Sequence, residues 1–316
     1  MSDSPSIGII IVSYNTCEPL RACLTSLAAA EVAGLQDVVV VDNASTDDTM
    51  TELPVAFPAV TFVDAGANVG FARGCNLGAR HTDADLLVFL NPDTLVPSGA
   101  IEALVDAYQR RPDAGQIGGR TFDDSGTLDP SSCWGAPSLW STLCFATGLS
   151  VVFRHHPRFD PESLGGWERD SERDVGVVTG CLCLMPRAVF EHVGGFDERY
   201  FLYGEDIDLS MRVREAGFST FITPEAAITH SVGAASASSV QRTVFVLTGR
   251  MTVYRLRFNP INGFVLRVLY VVGIAVRAAL PPQASGSGTE RRSAWRPALR
   301  RIGEWWPGYR ASPGRS

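Results

Sequence analysis

The chain has 316 residues, 45% of them hydrophobic, enough to bury a full core and to build one large domain with an appendage. All 27 basic residues are arginine, which excludes a Walker-type phosphate loop, a pyridoxal Schiff base and any lysine nucleophile. The net charge of −7 hides an asymmetry: residues 1–239 hold 14 arginines against 32 acidic residues, and residues 240–316 hold 13 against 2.

In chain order, the first 120 residues alternate short β-rich runs with helical periodicity. Strands are expected at 7–13, 38–42, 60–64 and 86–90, and helices at 18–30, 47–53, 70–80 and 98–110. This alternation predicts a parallel sheet with right-handed crossovers, and strands apolar throughout imply helices on both faces. From 120 to 175 the pattern weakens into Gly, Pro, Trp and charge, as in loops near an acceptor site. Regular signals return at 175–185, in helices over 187–193 and 205–216, and in a strand at 219–222. Beyond 240 the pattern gives two arginine-studded amphipathic helices broken at Asn259-Pro260, then a Pro/Gly/Ser/Arg tail expected to be poorly ordered. The expected organisation is a catalytic domain over 1–239, a basic helical appendage over 240–280 and the tail over 281–316.

The seven cysteines form no C-x-x-C pair and read as reduced, buried thiols of a cytosolic protein. The N-terminus has no basic region ahead of its short apolar run, so no signal peptide is expected. The most apolar stretch of the tail region, Val268–Val276, is nine residues long between Arg267 and Arg277, short of the roughly 20 that span a bilayer. Arg250 and Arg257, seven apart, share one helix face in the manner of a helix lying on an anionic membrane surface; the alternative is that these helices fold back on the acidic domain.

Several residues carry candidate chemistry. Asp42 ends the second strand, where a carboxylate can accept hydrogen bonds from a base or ribose, while Asp47 and Asp48 fit a helix start. Glycines at 66, 70, 74 and 78 give one helix a small face, either for close packing or for a ligand, with Arg73 one turn in and able to pair with a diphosphate. Asn91-Pro92-Asp93 follows a buried strand and is either a simple turn or the place where a carboxylate holds Mg²⁺ or Mn²⁺ against a diphosphate. Glu205, Asp206 and Asp208 open a helix after the aromatic Tyr203, either complementing its dipole or supplying a general base beside an acceptor pocket. His230 is a ligand or a surface histidine.

Taken together, V-S-Y-N at 12–15, V-D-N-A-S-T-D at 41–47, N-V-G-F-A-R-G-C-N at 68–76, F-L-N-P-D at 89–93, T-G-C-L-C-L-M at 179–185, G-G-F-D-E-R-Y-F-L-Y-G-E-D-I-D-L at 194–209 and His230 resemble, in order, glycosyltransferase family 2. The likeness leans towards its bacterial rhamnosyltransferase branch, which acts on lipid-linked intermediates of cell-wall and surface polysaccharides. The resemblance implies a GT-A fold with a mostly parallel central sheet flanked by helices, and inverting transfer from a nucleotide-diphosphate sugar, with dTDP-rhamnose favoured. It implies that Ser13, Asp42, Asn68, Arg73 and Asn91 contact the nucleotide-sugar and that Asp93 ligates a divalent metal with His230 close by. Asp206 is then the base, and Tyr203 and Glu205 line the acceptor pocket. Asn91 departs from the family's usual aspartate. The implied partners are a lipid-linked glycan acceptor and the inner face of the plasma membrane, met from the cytoplasm, and no nucleic acid. The alternative is an inactive scaffold that binds nucleotide-sugar or lipid.

Overall fold

The computed structural model describes residues 5–230, 239–279 and 295–310. These form two compact units. The first holds residues up to Trp134, Glu168–Glu198 and Leu209 onwards to Ala235; the second holds Gly135–Trp167, Arg199–Asp208 and the segment from Ser236.

The first unit is built on a ten-stranded sheet. Its opening half alternates β1 (Ile7–Ser13), α1 (Cys17–Ala30), β2 (Leu35–Asp42), α2 (Thr49–Ala56), β3 (Thr61–Asp64), α3 (Phe71–Ala79) and β4 (Leu86–Leu90). Then come β5 (Thr94–Leu95), α4 (Ala100–Arg110) and β6 (Ala114–Phe122). The short strands β7 (Leu128–Asp129) and β8 (Cys133–Trp134) follow, and after the helices α5 (Leu139–Thr147) and α6 (Leu149–Val152) of the second unit come β9 (Arg173–Asp174) and β10 (Val177–Val178). The remaining elements of this unit are β11 (Leu182–Pro186), α7 (Arg187–His192), most of α8 (Glu205–Glu215) and β12 (Ser219–His230).

The main sheet runs β3-β2-β1-β4-β11-β6-β12-β5. β1 pairs in parallel with β2 and β4, as the alternation predicts, and every residue of β1 and β4 is buried because helices cover both faces. Gly74 and Gly78 set α3 tightly on β1, since a Cβ there would stand 2.8 Å from Val12 Cγ1 and 2.5 Å from Ile10 Cγ2.

The second half departs from the expected parallel order. β11 lies antiparallel to both β4 and β6, and apolar content carries no information on strand direction. β6 falls where glycines 115, 118 and 119 hide the β pattern, because isolated strand glycines read as breaks. Their presence is steric: a Cβ on Gly119 would lie 2.1 Å from the Ala226 carbonyl oxygen. β12 extends to His230, eight residues past its expected end, by absorbing Pro224 in a register shift between Ile222 and Ala227.

The second unit packs α5, α6, α9 (Ser239–Arg257), α10 (Pro260–Ala279), α11 (295–300) and α12 (Ile302–Trp305). Leu247, Met251, Tyr254, Leu266, Ile274 and Trp305 are fully buried in its core. α9 and α10 break at Asn259-Pro260 as expected. Residues 295–310 of the stretch expected to be a poorly ordered tail fold here, with Trp305 donating from its indole to the Ala298 carbonyl at 2.8 Å; residues 281–294 and 311–316 lie outside the described residues.

Two expectations about this region change. Arg250 and Arg257 do not present a charged face to a membrane: Arg250 pairs with Glu162 at 2.8 Å over the rings of Tyr254 and Tyr270, and Arg257 pairs with the fully buried Asp208 at 3.0 Å. Helical spacing reveals a shared face but not what that face meets. The apolar stretch is also longer than nine residues. α10 has 20 residues and contains an 18-residue stretch of mean hydropathy 1.6, long and apolar enough to cross a membrane by length and composition, because the apolar run continues on the other side of Arg267.

Candidate active site

Ser13 and Asp42 sit in register at the C-terminal ends of β1 and β2, the edge where α/β sheets place ligands. Asp42 is 1% exposed, and its Oδ2 accepts the Ser45 backbone N–H at 2.8 Å. Its Oδ1 is buried with no hydrogen-bond partner among the described residues, a cost that an incoming donor group would relieve. Ser13 is buried and shares a hydrogen bond with Thr16 at 2.8 Å. Asp47 is structural, as its position implies, accepting from the Cys17 and Thr49 backbones at 2.9 and 3.1 Å. Asn15 and Ala44, in the loops after these strands, hold left-handed φ of 53° and 59°, a strain that collects at functional loops.

On the next loop Asn68 is exposed and accepts from the Gly70 N–H at 3.1 Å, turning the chain into α3. Arg73 is half-exposed and pairs with Glu198 at 3.0 Å, a contact that partial solvation keeps weak and exchangeable.

Past β4, pairing of β5 with β12 sets His230 opposite Thr94 and so beside Asn91 and Asp93. His230 Nε2 lies 3.2 Å from Asp93 Oδ1 and 3.2 Å from Asn91 Nδ2. Its Nδ1 faces Asp129 Oδ2 at 4.0 Å, and Asp129 is itself fixed by Ser131, whose backbone N–H and hydroxyl donate to it at 2.9 and 2.6 Å. Asp129 escapes sequence reading because it lies in the weakly patterned region and reaches His230 only through the sheet.

In the tautomer with its proton on Nδ1, the side of Asp129, His230 has a single lone pair at Nε2, which either accepts from the Asn91 amide or, together with the Asp93 carboxylate, serves an ion. Two ligands at right angles on one ion, each about 2.1 Å from it, stand about 3.0 Å apart, close to the separation here. No group of three or more His, Cys, Asp or Glu side chains is arranged to hold a metal ion by itself among the described residues. The pair therefore suits a divalent ion that draws its remaining ligands from elsewhere, and the imidazole ranks Mn²⁺ above Mg²⁺.

The acidic cluster belongs to the second unit. Tyr203 and Gly204 lead into α8 with φ of 66° and 94°. Gly204 meets α9 backbone to backbone at Gly249, where a Cβ would stand 2.1 Å from the Tyr203 carbonyl oxygen. Sequence reading passes over Gly249 as a helix glycine. Gly249→Ala is expected to destabilise the protein by about 1–3 kcal/mol and to displace the loop, seen as a lower melting temperature and reduced turnover together.

The three carboxylates of the first turn of α8 are not equivalent. Asp208 is fully buried and paired with Arg257. Glu205, expected to line the acceptor pocket, is buried instead, 4% exposed with Oε2 unpartnered among the described residues. Burial, and then the charges of Asp206 and Asp208, hold its pKa well above 4.5. Asp206 is half-buried and Tyr203 is exposed. A carboxyl group whose folded pKa is raised favours the native state at low pH, and that advantage is lost as pH climbs through the folded pKa. Glu205→Gln is therefore expected to match the wild type in melting temperature below pH 4.5 and to exceed it increasingly above, a gap that a flat difference across pH would contradict.

A profile of "Glycosyl transferase family 2" matches residues 8–194, and one described as the N-terminal domain of galactosyltransferase matches 172–234. The chain is 35% identical, over 71% of its length and 75% of the relative's, to the N-acetylglucosaminyl-diphospho-decaprenol L-rhamnosyltransferase of Mycobacterium tuberculosis. Its fold is similar to the mannosyltransferase PcManGT of Pyrobaculum calidifontis, solved with GDP-Man and Mn²⁺, with a TM-score of 0.61 at 17% identity over 96% of this chain and 88% of that one. It is similar also to GalNAc-T7, solved with UDP, GalNAc and Mn²⁺, with a TM-score of 0.61 at 13% identity over 94% of this chain and 55% of that one. The chain thus has the GT-A fold and belongs to glycosyltransferase family 2, as a rhamnosyltransferase-like member.

Proposed function

We propose that the protein transfers rhamnose from dTDP-rhamnose to a hydroxyl of a lipid-linked, sugar-diphosphate acceptor, with inversion, on the cytoplasmic face of the plasma membrane. The observation that carries the transfer chemistry is the facing pair Asp93 and His230 just beyond β4, on the sheet edge that also holds the unsatisfied Asp42. The choice of sugar and acceptor is supported by the 35% identical rhamnosyltransferase.

In this reading Asp42 Oδ1 accepts a hydrogen bond from the thymine or sugar of the nucleotide, and Ser13 and Asn68 flank it. Arg73 turns from Glu198 to the diphosphate, a stronger charge-assisted partner. Asp93 and His230 hold Mg²⁺ or Mn²⁺, with Asn91 as a neutral neighbour. When bound, the ion offsets the negative charge that grows on the leaving diphosphate. Asp206 takes the proton of the acceptor hydroxyl as its oxygen bonds to the anomeric carbon. The bond to the diphosphate breaks and its electron pair leaves with dTDP. Tyr203 offers an aromatic face to the acceptor sugar. Glu205 is buried with a raised pKa, so Asp206 is the more accessible carboxylate of the adjacent pair.

Thermal-shift measurement with a panel of nucleotide-sugars tests the donor. A ligand at 100 times its Kd stabilises the native state by about 2.7 kcal/mol. dTDP-rhamnose is expected to raise the melting temperature, and more so with Mn²⁺. An equal or larger shift with a GDP- or UDP-sugar would overturn the choice of donor.

A further inference from the structure

Every residue of α10 that is exposed, from Pro260 to Ala279, is apolar. The large ones are Ile261 at 76%, Phe264 at 59% and Val272 at 46%, with Val265, Val268 and Val276 between or beyond them. Spacings of three and four residues place them in one stripe along a helix about 30 Å long. Soluble surfaces rarely leave so continuous an apolar strip bare. The segments outside the described residues are poorly composed to cover it: 280–294 hold one large apolar residue, Leu280, and 231–238 hold one, Val232.

The other face of α10 is anchored in the second unit. Leu266, Tyr270 and Ile274 lie in its core, and Tyr270 stacks on Phe145 with ring centroids 4.5 Å apart. The helix's two arginines turn inward. Arg267 lies 4.2 Å over the Trp306 ring, and Arg277 donates to the Phe145 carbonyl at 2.6 Å and to Ser150 Oγ at 3.1 Å. A bilayer-crossing orientation would discard this packing and strip both arginines of their partners, whereas a helix lying in the plane of a membrane surface keeps it.

The bond from Arg277 to Ser150 also sets α6 beside the C-terminal end of the stripe. There Val152 is 75% and Phe153 45% exposed, and the chain continues through Arg154, His155, His156 and Arg158, all exposed. An apolar strip ending in an exposed basic cluster matches acyl chains and anionic headgroups together.

We propose that α10 docks in the plane of an anionic lipid bilayer, with the Ile261–Val276 stripe in the acyl boundary and Arg154 and Arg158 on the headgroups. This deepens the reading of a lipid-linked acceptor, which it would bring to the same surface, and it rests on that reading only for its purpose.

Sedimentation of the full chain with vesicles tests docking without any turnover. With about 30 mol% phosphatidylglycerol in phosphatidylcholine the protein is expected to pellet, and with phosphatidylcholine alone or at raised salt to pellet far less. Phe264→Glu/Val272→Glu alters exposed positions and loses one edge contact, Phe264 to Trp306 at 6.4 Å, so thermal unfolding should change little while vesicle binding falls at least about tenfold. Arg154→Gln/Arg158→Gln should lose the preference for anionic lipid. Four results overturn the proposal: no pelleting of the wild type, equal pelleting of the Phe264/Val272 variant, resistance of the bound protein to alkaline carbonate, which marks a spanning helix, or a wild-type dimer in ultracentrifugation that this variant converts to monomer. Transferase activity on a soluble acceptor is a separate readout, so failure to dock and failure of the proposed reaction are distinguishable.

Discussion

Asp206→Asn is expected to lower turnover by about 10²- to 10⁴-fold while the affinity for dTDP-rhamnose stays within about twofold, because a general base acts only in the transition state. The structure supplies the reason to choose this carboxylate among three. The charge of Asp208 is taken by Arg257, and Glu205 is buried, so neither is placed to accept a proton from an incoming hydroxyl. Asp206 is the member of the turn that is only half-buried. Steady-state kinetics beside equilibrium donor binding give both numbers. Glu205→Gln should keep most of the activity, since the buried side chain is not placed to meet an acceptor.

Asp93→Ala is expected to weaken Mn²⁺-dependent donor binding by more than about 100-fold, measured calorimetrically with dTDP-rhamnose at fixed Mn²⁺. The side chain is 11% exposed and faces His230 Nε2 at 3.2 Å, so its removal deletes the only carboxylate that faces that lone pair among the described residues. Asp129→Asn should have a smaller effect, no more than about 10-fold on metal affinity, because its charge lies 4.0 Å from the far ring nitrogen, beyond hydrogen-bond distance. Donor affinity unchanged by Asp93→Ala, or undiminished in excess EDTA, would remove the metal from the account.

The opening half of the fold was legible because its signals are local. β1, β2, β3 and β4 are short apolar runs separated by helices of ordinary length, and their parallel pairing follows from chain geometry. β6 was hidden by glycines that are there to let Ala226 and Val178 approach, a requirement visible only once the neighbouring strands are in place. Donor-side candidates were legible for a related reason: Asp42 and Asp93 sit at strand ends, where position alone is informative. His230 carried a weak signal by itself and gains meaning only through the β5 and β12 register that brings it to Asp93.

The arginines of α9 show the opposite limit. Their seven-residue spacing implies one shared face but does not decide between lipid and a fold-back on the acidic chain; Glu162 and Asp208, about 90 and 50 residues away, make it the fold-back. The apolar face of α10 was obscured by counting between arginines that in the folded protein turn inward. In the acidic cluster, composition could not rank three neighbouring carboxylates. Burial and the Arg257 pair do so.

Release of dTDP from dTDP-rhamnose by the purified full chain, followed with and without a polyprenyl-diphosphate-linked N-acetylglucosamine acceptor, bears most directly on the central claim. The account predicts dTDP and a rhamnosylated lipid formed in equal amounts, only when Mn²⁺ and acceptor are both present, and neither with Asp206→Asn. Donor binding without release under any of these conditions would make the protein a scaffold, and release at the same rate without acceptor would make it a hydrolase; either result contradicts the account.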